Sequence, residues 1–312
     1  MTDRIHERFF KEAFSKLFND DSLIQPSSSG FRSSRSEYSF SIPPSEYFNL
    51  SKEYEIRDEE LSHFTSLRGL FAILNSEAIR LYNLDNVNDP TEYSYALNDE
   101  YKSNLERKKS KIYILSTCMY EEMSDGEKFS MWNNYGESGF GARLILDYSE
   151  GENFEMNSSF LKKVKYSKLD LTKFIEAKTK IEKEEKIPSI EFLDTIKTPC
   201  ILHKNRQYEL EREARLVYLN DYDDDNQHIC FDPNSPFFME YSYISKKLCK
   251  FYSLKLNDEN SFAKLRIKKI ILGPKHSEDS VILDKLRWMC FAKQNRIGNT
   301  GIVISKLDHA TY

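Results

Sequence analysis

Residues 208–218 read Tyr208-Glu209-Leu210-Glu211-Arg212-Glu213-Ala214-Arg215-Leu216-Val217-Tyr218. Charged residues alternate along the first part, and the segment then turns apolar. In an extended chain, side chains two positions apart share a face. A strand over 211–219 would therefore put Glu211, Glu213 and Arg215 on one face. Three charges on a strand that enters a core are costly unless they pair or serve a site. The plainer reading is a solvated charged face.

Working outward, the late segment 264–272 reads as a strong strand ended by Gly273-Pro274. A helix over 279–294 and a closing strand over 301–306 follow it. Upstream, 112–119 reads as a buried strand, 128–135 as a short helix and 140–147 as a strand. A strand at 161–166 precedes two helices, a highly charged one over 173–186 and another over 189–204. Nearer the start, a strand ends at 60–65, a helix spans 67–77, and a second short strand covers 79–83. Asn88-Asp89-Pro90 reads as a turn that bonds its own backbone, with Thr91 capping a helix over 91–108.

At the N-terminus, Ile5, Phe9, Phe10, Phe14 and Leu17 recur at helical spacing and predict an amphipathic helix over 5–18. Residues 25–44 are rich in Ser and Pro without periodicity and read as a linker. The chain thus divides into a helix-and-linker arm at 1–46 and a main domain at 47–312. Short strands and helices without strict βαβ alternation predict an α+β fold with an N-terminal helical arm.

Composition narrows the functional classes. Among 312 residues, 39% are hydrophobic and 30% charged, enough apolar material for a core. A net charge of −5 argues against binding nucleic acid with the whole surface, although a local basic groove is compatible with it. The five cysteines are scattered, with no CxxC pair, which fits free thiols in a reducing cytosol. No leader-like apolar region opens the chain, and no run approaches the roughly 20 residues needed to span a bilayer. The expected location is cytoplasmic, with no membrane contact. HExxH, GxGxxG and P-loop patterns are absent, so neither a metal centre nor a Rossmann nucleotide site is expected.

Four segments carry candidate chemistry. His63-Phe64-Thr65-Ser66 stands at a strand-to-helix junction, where side chains reach a cleft edge. Asn88-Asp89-Pro90-Thr91-Glu92 is a turn that forms either a helix cap or an active-site wall. Phe129-Ser130-Met131-Trp132-Asn133-Asn134-Tyr135-Gly136 places Trp132 and Tyr135 on one helix face. Trp132 is the core candidate, and Tyr135, beside a glycine at the helix end, is the better candidate to stack on a heterocycle. The fourth is the charged strand with Glu211, Glu213 and Arg215.

In this order the four segments resemble DUF2971, a bacterial family of unknown function. Its pattern runs through an HYT start, an NDP.E turn, a Ser…MW..Y helix, a K…F..E.E.R segment and a late I..I..G strand. This chain supplies His63-Phe64-Thr65, Asn88-Asp89-Pro90 with Glu92, Ser116, and Met131-Trp132 with Tyr135. Gly139, Lys204, Tyr208, Glu211, Glu213, Arg215 and Ile270 continue the match, which spans 61–272. Phe64 replaces the commoner Tyr, and Tyr208 stands where Phe or Trp is usual.

That layout resembles in turn the His-Tyr-Glu class of ADP-ribosyltransferases. The resemblance implies a split β-sheet core with helical insertions, and NAD as the substrate held between two small sheets. It implies that His63 and Thr65 hold the ribose and that Tyr135 stacks on nicotinamide. Glu213, preferred for its rigid apolar continuation, or else Glu211, would stabilise the charge developing on the ribose. Phe64, Asn88, Asp89, Ser130 and Arg215 would complete the NAD site. The implied activity is transfer of ADP-ribose to a macromolecule, by a bacterial toxin or phage-defence effector restrained by an antitoxin or inhibitor protein. RNA or DNA is favoured over protein as acceptor, because aromatic residues offer stacking surfaces and Lys162, Lys163, Lys165, Lys204 and Arg206 suit a groove. An NAD glycohydrolase and a non-catalytic binding module are the competing readings.

Overall fold

The computed structural model describes residues 2–17, 30–33, 38–41, 54–56, 60–86, 95–96, 109–151, 158–169, 171–191, 196, 199–220, 239–244, 247–276, 280–293 and 300–304. The strands in chain order are β1 (Gly30–Ser33), β2 (Tyr38–Ser41), β3 (Leu61–Thr65), β4 (Ala78–Asn83), β5 (Ile112–Met119), β6 (Ala142–Glu150) and β7 (Ser158–Lys163). They continue with β8 (Ile190–Glu191), β9 (Glu213–Leu219), β10 (Met239–Ile244), β11 (Lys247–Lys255), β12 (Ala263–Leu272) and β13 (Gly301–Ile304). With five α-helices among the described residues, the chain is α+β, as its mixed pattern predicts.

Two compact units divide it. The first comprises Met1–Glu55, Val87–Ser110 and Lys162–Tyr208, and the second Ile56–Asn86, Lys111–Leu161 and Glu209–Tyr312. In the first, the N-terminal helix Thr2–Glu12 lies on the helix Thr172–Glu185. Phe9 meets Phe174 edge to face at 5.8 Å, and both rings are fully buried. Arg4 and Arg8 bond Glu185 at 2.9 and 2.8 Å, and Arg8 also reaches Glu184. The apolar stripe read from the sequence is thus spent inside this unit.

Two expectations for this unit need correction. The Ser-rich stretch 25–44 contains the antiparallel pair β1–β2, to which β8 adds in parallel. Its Phe31, Tyr38 and Phe40 are strand formers that the surrounding serines obscure. The segment 189–204 is not one helix. It opens as β8, is helical at 199–201, and reaches a bridge between His203 and Lys165. The turn at Asn88-Asp89-Pro90 and most of the helix expected over 91–108 lie outside the described residues; 95–96 form a turn.

His203 is a buried polar anchor of this unit. Its Nδ1–H donates to the Ser167 carbonyl at 2.7 Å, so Nε2 accepts the Tyr54 hydroxyl at 3.1 Å. Burial holds its pKa down to about 4, from 6.5. A histidine buried neutral makes the unfolded chain bind the extra proton first. Stability is therefore full above pH 6.5 and is lost as pH falls toward 4, by roughly 3 kcal/mol. Urea titrations at pH 7 and pH 4.5 are expected to show that loss, and His203→Gln should flatten most of the difference.

In the second unit, β10-β11-β4-β5-β3-β6-β12-β13 form a continuous path, and β9 pairs with both β5 and β7. β13 runs parallel to β12, whereas β10–β11, β11–β4, β4–β5, β5–β3, β3–β6, β6–β12 and β5–β9 are antiparallel. Leu70, Ile73 and Leu74 from the helix Leu67–Ser76, and Leu286, Met289 and Cys290 from the helix Ser280–Ala292, cover one face of this sheet. Each such side chain contributes about 1.5–3 kcal/mol on burial. Ser66 caps the first of these helices by accepting from the Gly69 N–H at 3.0 Å.

Candidate active site

Strand β5 is where the sheet divides. Met119 N–H donates to Arg212 O, and Asn220 N–H to Lys111 O. Within the antiparallel register this assigns the odd-numbered residues of β5 to β9, and turns the backbone groups of the even-numbered ones to the opposite edge. Two strands share that opposite edge. β4 meets it at Tyr113 and Ile114, and β3 at Cys118 and Met119. Between them, residues 115–117 pair with neither. Ser116 is exposed there, whereas the seven other residues of β5 are buried. Solvent thus reaches the middle of a central strand through the split.

His63 enters the split from β3. Its Nδ1–H donates to the Ser116 carbonyl at 3.0 Å, which supplies the partner that a missing strand leaves wanting. Burial lowers the imidazole pKa, against the opposing effect of that hydrogen bond. The ring is therefore neutral at pH 7, with Nε2 as an acceptor.

The registers sort the neighbouring side chains by face. Ser62 stands opposite Cys118, Cys118 opposite Glu213, Ser116 opposite Arg215, and Phe64 opposite Arg143. These share one face, and His63 and Thr65 start from the other. On the shared face Glu213 and Arg215 are 3% and 1% exposed and form a bidentate pair at 2.8 and 3.1 Å. Burial pushes the Arg215 pKa down to about 9, so the guanidinium keeps its charge at pH 7. Cys118, also buried there, has its thiol pushed up to about 12 by burial and is inert.

Glu211 departs from expectation. It ends the 3-10 helix Arg206–Glu211, and β9 starts only at Glu213. Arg212 between them has φ 46°, a left-handed conformation that breaks the strand's alternation. Glu211 is thereby taken out of line with Glu213 and Arg215. Its Oε1 accepts the hydroxyl of Tyr135 at 2.5 Å.

Tyr135 ends the helix Asp125–Asn134 and is 39% exposed. Three residues earlier Trp132 is fully buried, edge-on to Phe64 at 4.9 Å, with its indole N–H donating to the Tyr120 hydroxyl. The core and surface roles expected for this aromatic pair are the ones observed. Gly136 makes the close packing feasible, since a Cβ there would lie 2.5 Å from the Trp132 ring. Beyond it, Glu137, Ser138 and Gly139 all have positive φ, and the Glu137 carboxylate accepts from the Leu67 N–H at 3.0 Å. The segment after Tyr135 is thus tied to the start of the helix that follows His63.

The structure therefore brings together Tyr135 with Glu211, Glu213 with Arg215, and His63 with Ser116. Phe64 is core, Thr65 half-buried, and Ser130 accepts from Asn134 at 3.2 Å. Asn88 and Asp89 lie outside the described residues. No local sequence pattern marks Arg212 as a site residue, and only the serine of the family pattern points to Ser116. Of the lysines expected in a groove, Lys204 is buried with its ammonium over Tyr208, and Lys165 is half-buried over Tyr54. Among the described residues, no cluster of three or more His, Cys, Asp or Glu could hold a metal ion, and no helix is long and apolar enough to cross a membrane.

Residues 131–216 match the family model of DUF2971, described as a protein of unknown function. The match runs from Met131, in the helix that ends at Tyr135, to Leu216 on β9, so it takes in Glu211 and Glu213 and leaves His63 outside. Neither the curated proteins nor the solved structures gave a match to the chain.

Proposed function

We propose that this chain is an NAD-using ADP-ribosyltransferase whose reacting end is the Tyr135–Glu211 pair. The observation that carries the reading is the 2.5 Å bond between a partly exposed aromatic ring and a carboxylate that is not buried. Cleavage of the nicotinamide–ribose bond builds positive charge on the ribose C1′, and a fixed carboxylate stabilises charge where it develops. The Tyr135 ring offers a stacking face for nicotinamide. Glu211 takes the carboxylate role, because Glu213 is already committed to Arg215 in a buried pair. The neutral His63, held by Ser116, presents Nε2 to accept a ribose hydroxyl in the split.

The acceptor is a macromolecule in this reading, and the same carboxylate takes the acceptor's proton as general base. The expected biological setting is a bacterial toxin or defence effector. Purified protein incubated with labelled NAD and a cell lysate is expected to transfer label to a nuclease-sensitive product. Protease-sensitive label would move the acceptor to protein. Free ADP-ribose alone would make the chain an NAD glycohydrolase, and intact NAD beside folded protein would remove the reading.

A further inference from the structure

Glu127 is placed like an ordinary helix-capping residue but makes one contact that capping does not require. It is the third residue of the helix Asp125–Asn134, and its Oε2 accepts from both the N–H and the hydroxyl of Ser124 at 2.7 Å. That completes a capping box with one oxygen. The other oxygen, Oε1, reaches 85 residues along the chain and accepts from Nε and Nη2 of Arg212, each at 3.3 Å. The Glu127 side chain is 12% exposed and that of Arg212 is 42% exposed, so the contact lies at the surface with its carboxylate side the more covered.

Arg212 is a demanding place for a long side chain. Its φ of 46° is one that glycine adopts freely and other residues resist. The kink lies between the two candidate carboxylates. It sends Glu211 to Tyr135 and Glu213 to Arg215. Its backbone is held on both sides, by Arg212 N–H to Glu209 O at 3.3 Å and by Met119 N–H to Arg212 O at 3.0 Å. The guanidinium then ties the kink to the helix whose far end carries Tyr135.

We propose that Glu127 and Arg212 form a positioning clamp that holds the Glu211 carboxylate against Tyr135. Neither touches the reacting atoms. The clamp joins the two elements that deliver the reacting pair, and its strain sits where the carboxylates diverge. The inference rests on the Tyr135–Glu211 reading for its catalytic meaning, but the geometry can be tested without turnover.

Three variants separate the clamp from the cap. Glu127→Gln keeps an oxygen for the capping box and loses the charge that Arg212 needs. Arg212→Gly relieves the left-handed strain and removes the guanidinium. Ser124→Ala removes the cap and leaves the clamp. Glu127→Gln and Arg212→Gly are each expected to lower kcat for nicotinamide release about ten- to a hundredfold with KM nearly unchanged. The double variant should be no worse than the weaker single one, and Arg212→Gly should keep or raise Tm. Ser124→Ala should lower Tm and leave kcat in place.

The second readout is the 19F signal of 3-fluorotyrosine introduced at position 135. It is expected to move in the same direction in Glu127→Gln and Arg212→Gly, and to stay in Ser124→Ala. A signal unmoved in both clamp variants overturns the clamp, whether or not the protein cleaves NAD. A kcat within about twofold of wild type in both, in a protein that does cleave NAD, overturns its positioning role. Wild-type protein that leaves NAD intact while the signal moves as expected removes the proposed activity and keeps the clamp.

Discussion

Glu213→Gln is expected to destabilise the protein by about 3–5 kcal/mol, because it removes the carboxylate that pairs bidentately with the fully buried Arg215 guanidinium. The pair lies on the strand that joins β5 to β7, so no surface rearrangement readily brings water to the guanidinium. Glutamine keeps the shape and one acceptor oxygen, which places the effect toward the lower end. Urea unfolding at pH 7 measures it. A Glu213→Leu/Arg215→Met double variant should recover most of the loss, because an apolar pair of similar volume replaces a buried ion pair at little cost.

Glu211→Gln is expected to behave in the opposite way. Glu211 is only partly buried and not on the strand, so its replacement should leave Tm within a degree or so, as for most surface changes. Its amide can still accept the Tyr135 hydroxyl, so the geometry persists while the charge is gone. Nicotinamide release should fall by about a hundred- to ten-thousandfold, the range for losing an electrostatic stabiliser that also serves as general base. The contrast between the two substitutions separates a structural carboxylate from a reacting one on neighbouring positions of the same segment.

Much of this arrangement is legible in the sequence. β5 and β12 agree with the sequence reading to within a residue, because each is a long apolar run and the second ends at Gly273-Pro274. The spacing puts Trp132 and Tyr135 on one helix face, and Gly136 at the helix end is what tells them apart. Glu213 and Arg215 do share a strand face, as their alternation predicts. Glu211 was placed on that face too, because a left-handed arginine leaves no mark in a pattern that reads as unbroken alternation. The hairpin β10–β11 carried no recognisable signal, since Cys249, Phe251, Tyr252 and Leu254 are buried on both faces and blur the period of two. The accessible Ser116 depends on where β3 and β4 end along a third strand, a long-range pairing that no local pattern encodes.

The most direct test of the central claim is nicotinamide release from NAD by the purified wild-type protein, compared with Glu211→Gln of equal secondary structure and Tm. Release by the wild type, with loss of at least a hundredfold in Glu211→Gln, is the predicted result. Equal release by both, or none by a folded wild type, would contradict the assignment of the Tyr135–Glu211 pair as the reacting end.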